Sequence, residues 1–153
     1  LESTLLLNEL ARAGFKMEMS PKIGLYLSQL HYYRDALRLD GKAAYADHAR
    51  YLLLKSHFYD SFTDNPLAPI SQSREELSEL LEIGERLLKV KEHNINAEEV
   101  KFILAIHYLQ AMQQQLIGKE EGQRKYKKLL AELRKDYPQS LKPLTLEALT
   151  PAP

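Results

Sequence analysis

Histidine is the residue type to weigh first, because a metal ligand or a general base would come most readily from one of the five histidines. A helical metal site needs a second ligand three or four residues away, and His57 with Asp60 has that spacing. The Glu-x-x-His pattern by which helical bundles hold paired irons is absent. His107 lies inside an apolar stretch, and His48 and His57 share another segment; such histidines read as core residues hydrogen-bonded to neighbours. There is no cysteine, which excludes thiolate metal sites, disulfides and a cysteine nucleophile. No serine occupies a nucleophile elbow. Gly118 and Gly122 lack the Gly-Lys-Ser/Thr of a phosphate loop, and no carboxylate pair stands in an apolar context. The expectation is a protein that is not an enzyme, with no catalytic, cofactor-binding or metal residues.

Charge and tyrosine are the remaining sources of chemistry. Glu75, Glu76, Glu79, Glu82 and Glu85 fall on one helical face and suit either a basic partner or plain solvation. In the solvated case Glu82–Arg86 and Glu85–Lys89 stand at the i,i+4 spacing of helix ion pairs. Arg124, Lys125, Lys127, Lys128, Arg134 and Lys135 form a basic run that resembles a nucleic-acid patch. Glu120, Glu121, Glu132 and Asp136 interleave with it and cancel its field, so nucleic acid is not an expected partner. Over the whole chain 21 basic residues balance 21 acidic ones, and no global field recruits a polyanion. Of nine tyrosines, the adjacent Tyr32 and Tyr33 must point to different sides of a helix. One of them, with His31, is expected near a surface that something else covers. His31, Tyr32, Tyr33, Glu75, Glu79 and Glu82 are therefore the candidate partner surface.

The elements that must position these groups are helices. Residues 21–38 place Ile23, Tyr26, Leu27, Leu30, Tyr33 and Leu37 at three- and four-residue steps. Narrow stripes recur over 73–92 and 120–137, whereas 43–62 and 97–117 are apolar around most of their circumference. A helix apolar on most sides must be covered on most sides, which makes those two segments inner helices. A further helix over 3–13 carries Leu6, Leu7, Leu10 and Ala11 and stops at Gly14. Ser20-Pro21, Ser73 with Glu76, and Asn96 with Glu99 mark helix starts, and Asp40-Gly41, Gly118, Gly122 and Pro138 mark breaks. Valine occurs only at 90 and 100, and no strand is expected. The fold class is all-α, six antiparallel helices in a single domain over 1–140. A proline-containing tail follows over 141–153, with the prolines at 143, 151 and 153. Its leucines at 141, 144, 146 and 149 are expected to pack on the last hairpin.

Paired antiparallel helices with short turns invite a comparison. Ala49 to Tyr59 has small Ser56 three residues before aromatic Tyr59, and Leu104-Ala105-Ile106-His107-Tyr108 repeats a large–small–x–x–aromatic spacing. Tyr126 to Ser140 ends in Asp136-Tyr137-Pro138, like a helix followed by its proline stop. These fragments resemble tetratricopeptide-type helical repeats, although there is no tryptophan and no constant period of ~34 residues. The resemblance implies helical hairpins whose concave surface binds a peptide or protein without catalysis.

The functional expectation is a non-catalytic protein–protein interaction module. The alternative is a helical sensor holding a small apolar ligand near Leu52, Leu104 and His107. No apolar run approaches the ~18 residues of a membrane span. Leu5, Leu6, Leu7, Leu10 and Phe15 are apolar enough at the N-terminal end to suggest a homodimer. Compartment is left open, since a chain beginning at Leu1 is compatible with a removed leader or a neighbouring domain.

Overall fold

Burial explains why one segment is greasy all round. In the computed structural model, which describes residues 5, 8, 9, 12, 17–20, 25–28, 30–42, 45–61, 74–91 and 95–149, every residue from Ile103 to Ala111 is buried. The fold class is all-α, with one short two-stranded hairpin beside six helices among the described residues: α1 Leu30–Leu39, α2 Ala46–Ser61, α3 Arg74–Leu87, α4 Ala97–Gln113, α5 Lys119–Asp136 and α6 Lys142–Leu149. Where the sequence suggests one domain over 1–140, the chain divides into two compact units, Leu1–Phe62 and Thr63–Pro153.

The first unit corrects the start of the helix expected over 21–38. Its residues Leu25–Ser28 form strand β2, paired antiparallel with β1, Met17–Ser20, in the register Met17 to Ser28 and Ser20 to Leu25. Helix begins only at Leu30. Asp40 ends α1 as expected, its Oδ1 accepting from Lys42 N at 2.9 Å in an Asx turn. Arg50 then fastens the α1–α2 turn, donating to Gly41 O at 2.8 Å and Asp47 Oδ1 at 2.7 Å. Helix α2 buries Ala49, Tyr51, Leu53, Leu54 and Phe58 and packs on α1. Of the helix expected over 3–13, the described residues Leu5, Asn8, Glu9 and Arg12 are helical and exposed. The rest of it lies outside the described residues.

The second unit is built around α4. On one side α3 lays down Leu77, Leu80, Leu81, Gly84 and Leu87; on the other α5 contributes Tyr126, Leu129, Leu130 and Leu133. Two glycines set how closely the helices approach. A Cβ on Gly84 would lie 2.7 Å from Leu104 Cδ1, and one on Gly122 would lie 2.2 Å from Met112 Cγ. Gly122 therefore belongs to the first turns of α5 as a packing residue, not to a break; only Gly118 stands at the helix start.

Both ends of α4 are satisfied. Asn96 Oδ1 accepts from Glu99 N at 3.2 Å, the N-cap that the sequence announces. At the other end α4 has no basic residue in its last turn, and Arg74 of α3 supplies the charge. Its guanidinium donates to Gln114 O at 3.2 Å and Gln115 O at 3.4 Å. Gln115 takes φ 57°, a left-handed conformation that costs a non-glycine residue on the order of 1 kcal/mol.

The proline-containing segment expected to pack its leucines on the last hairpin does dock, and it does so as a helix. Pro143 sits in the first turn of α6, where its missing N–H has no helical partner to lose. Pro143 and Leu146 are buried, and α6 packs on α5 and α4. Leu141 and Leu144 stay 74% and 63% exposed, so only part of the leucine set docks.

Candidate functional site

The second unit carries a cleft of about 470 Å³ where the C-terminal half of α3, one turn of α4 and the length of α5 diverge. Helix α3 brings Glu85, the turn that follows it brings Leu88 and Lys89, and α4 brings Lys101. Helix α5 presents Lys125, Lys128, Leu129, Glu132, Lys135 and Asp136 along one side. That spacing follows from the helix: residues 125, 128, 132 and 135 recur at three- and four-residue steps beside the buried stripe of Leu129 and Leu133.

Polar pairing inside the cleft is uneven. Lys101, its side chain only 14% exposed, lies 3.6 Å from Glu132 and 3.4 Å from Asp136. Lys125 lies 3.4 Å from Glu85 Oε1, and the Tyr108 hydroxyl of α4 donates to the same oxygen. Burial above all, and then the Glu85 carboxylate, push the Tyr108 phenol up and keep it protonated as a donor. The three cleft carboxylates are thus taken by Lys101, Lys125 and Tyr108. Lys89, Lys128 and Lys135 are exposed and make no ion pair among the described residues. Five lysines against three carboxylates leave the cleft positive.

A second polar cluster pins α6. Ser140 Oγ donates to Glu98 Oε1 at 2.6 Å, and Lys142 Nζ lies 3.2 Å from the same oxygen. The Ser140 hydroxyl first, and Lys142 after it, hold the Glu98 carboxyl below its ordinary range, against an upward push from partial burial. Arg134 of α5 pairs with Glu147 of α6.

The residues singled out from the sequence scatter. Glu75 and Glu82 are exposed on α3 and Glu79 is half-buried, so the acidic face exists as a convex strip. Glu85 does not belong to it; it turns inward to Tyr108 and Lys125 instead of pairing along the helix with Lys89. His31, Tyr32 and Tyr33 lie on α1 in the other unit, and their side chains fall outside the described residues. His107 is 1% exposed and engaged within the core of the second unit, while His48 is exposed. The side chain of His57 also lies outside the described residues. Among the described residues no three of histidine, aspartate and glutamate gather as a metal-holding group. None of the helices in this set is long and apolar enough to cross a membrane.

Glu85, Lys89, Lys101 and Lys128 were legible as charges but not as a site. Glu132 and Asp136 do interleave with the basic run, yet they answer Lys101 from α4 rather than Lys128 and Lys135 beside them. No protein-family model, curated protein or solved structure matches the chain.

Proposed function

We propose that this chain is a non-catalytic protein-interaction module, whether a tetratricopeptide-like array or a compact helical bundle, that receives a peptide or helix in the α3–α4–α5 cleft. The observation that carries this reading is the concavity itself, held open by a helix that is buried without interruption from Ile103 to Ala111. Leu104 and Met112 of α4 contact Gly84 of α3 and Gly122 of α5 so closely that both walls are positioned before any partner arrives. A preformed groove with an apolar floor, here Leu88 and Leu129, and charged walls spares a partner the entropy of ordering its site.

The alternative, a small apolar ligand between inner helices, has less behind it. The cleft lining includes neither Leu104 nor His107, and Leu52 belongs to the other unit. A homodimer through the N-terminal leucines stays part of the proposal as a separate surface: Leu5 is 65% exposed.

Display selection of random twelve-residue peptides on the immobilised 153-residue chain tests the module reading. The expected result is enriched peptides whose titration shifts the amide resonances of Leu88, Lys101 and Leu129. No enrichment over an empty support, or shifts confined to other elements, would count against it.

A further inference from the structure

Within that reading, and resting on it, we infer that the partner is an acidic peptide segment, seated by carboxylates on Lys89, Lys128 and Lys135 with an apolar side chain on Leu88 and Leu129. The carboxylates already in the cleft decide the sign. Glu132 and Asp136 are held by Lys101, and Glu85 by Lys125 and Tyr108, so none of them answers the three outer lysines. A basic peptide would first meet these ammonium groups, which make no ion pair among the described residues, and be repelled.

Spacing narrows the ligand further. Lys128 and Lys135 stand seven residues, two helical turns, apart on α5, or about 10 Å along the axis. Two carboxylates at that separation, in an extended segment or on one face of a helix, meet both ammonium groups at once. Lys89 comes from the turn after α3 and lines the same cleft as the two leucines. Discrete carboxylates suit this arrangement better than a nucleic-acid backbone. A continuous row of phosphates would have to pass Glu132 and Asp136, and the floor offers leucines where stacking on bases needs aromatic rings.

The test uses the full chain and a fluorescein-labelled dodecapeptide of three Glu-Leu-Glu-Gly repeats, read by fluorescence anisotropy. The same peptide with glutamine for glutamate and a labelled twelve-nucleotide oligo-dT serve as competing probes. The inference expects saturable binding of the acidic peptide that weakens steeply between low and physiological salt. It also expects at least a tenfold loss in the double variant Lys128→Glu/Lys135→Glu. Both positions are exposed, and circular dichroism checks that the variant is folded; Lys128→Gln/Lys135→Gln should lose less. Equal affinity of the glutamine peptide, unchanged binding by the double variant, or preference for oligo-dT each overturns the inference. If the acidic probe fails while display-selected peptides still bind the cleft, only this inference falls. If no peptide binds at all, the module reading falls with it.

Discussion

The acidic strip of α3 and the lysine cleft are both runs of charge on helices, yet only one makes a pocket. Glu75, Glu79 and Glu82 need nothing but α3 to stand together. Lys89, Lys101, Lys128 and Lys135 come from the turn after α3 and from two helices, and they line one cleft only because α3 and α5 both pack on α4. In the strip Glu75 and Glu82 remain in water, where each contributes little. In the cleft the carboxylates are already committed and a charge excess converges on an apolar floor. Charge along one helix is a local property; concavity is a tertiary one.

Removing the central wall should have the largest effect. Leu104→Ala deletes the side chain that Gly84 was shaped around, and should cost about 2–5 kcal/mol in urea unfolding, in line with buried leucine truncations. A cost below about 1 kcal/mol would mean that α4 does not position the cleft walls. Next, Tyr108→Phe takes the hydroxyl donor from Glu85. A loss of about 1–2 kcal/mol is expected, since a half-buried carboxylate gives up a charge-assisted hydrogen bond. Tyr108→Phe with unchanged stability would leave Lys125 as sufficient partner for Glu85.

Two smaller predictions concern the ends of α4. Gln115→Gly relieves the left-handed backbone and should raise stability by about 0.5–1 kcal/mol, visible as a higher urea midpoint; a fall would locate the benefit of this turn in the glutamine side chain. At the other end, Glu98 has its pKa lowered on folding, so its contribution is complete above its ordinary value of 4.5 and is lost as pH falls through the lower folded value. Ser140→Ala should flatten that acid-limb dependence when melting temperature is followed from pH 6 down to about 3. A variant with an unaltered acid limb would remove Glu98 as the group responsible. Smallest of all, Glu75→Gln/Glu79→Gln/Glu82→Gln should move stability by no more than about 0.5 kcal/mol per site and leave the affinity of the acidic peptide at physiological salt within twofold. A larger change in either would make the convex strip a working surface.

Legibility in the sequence tracks the same division. Helix α4 was expected over 97–117 and runs Ala97–Gln113; α5 was expected over 120–137 and runs Lys119–Asp136. Their limits are written locally, in Asn96, Gly118 and Pro138. The hairpin is hidden in the sequence because Tyr26, Leu27 and Leu30 also fit a helical stripe. Met17-Glu18-Met19-Ser20 and Leu25-Tyr26-Leu27-Ser28 do alternate at period two, and Gly24 lies in the connection, but four-residue strands gain their stability from pairing. Gly122 follows the same logic: glycine in a helix reads as a break until a partner side chain, here Met112, occupies the place of the missing Cβ. The cleft was out of reach because its ion pairs join Lys101 to residues more than thirty positions away.

The continuous burial of Ile103 to Ala111 has a consequence for the life of this protein outside its native state. Helix α4 is covered by α3 on one side and by α5 and α6 on the other, so neither flank can open without wetting part of it. Amide protons along α4 should therefore exchange with deuterium only when the whole second unit opens. When that happens, Phe102-Ile103-Leu104-Ala105-Ile106 is released as an uncharged, strongly apolar stretch with Lys101 at its edge, the kind of segment that nucleates aggregation. Selection on this chain would then act on how rarely that helix is bared, as well as on what the cleft holds.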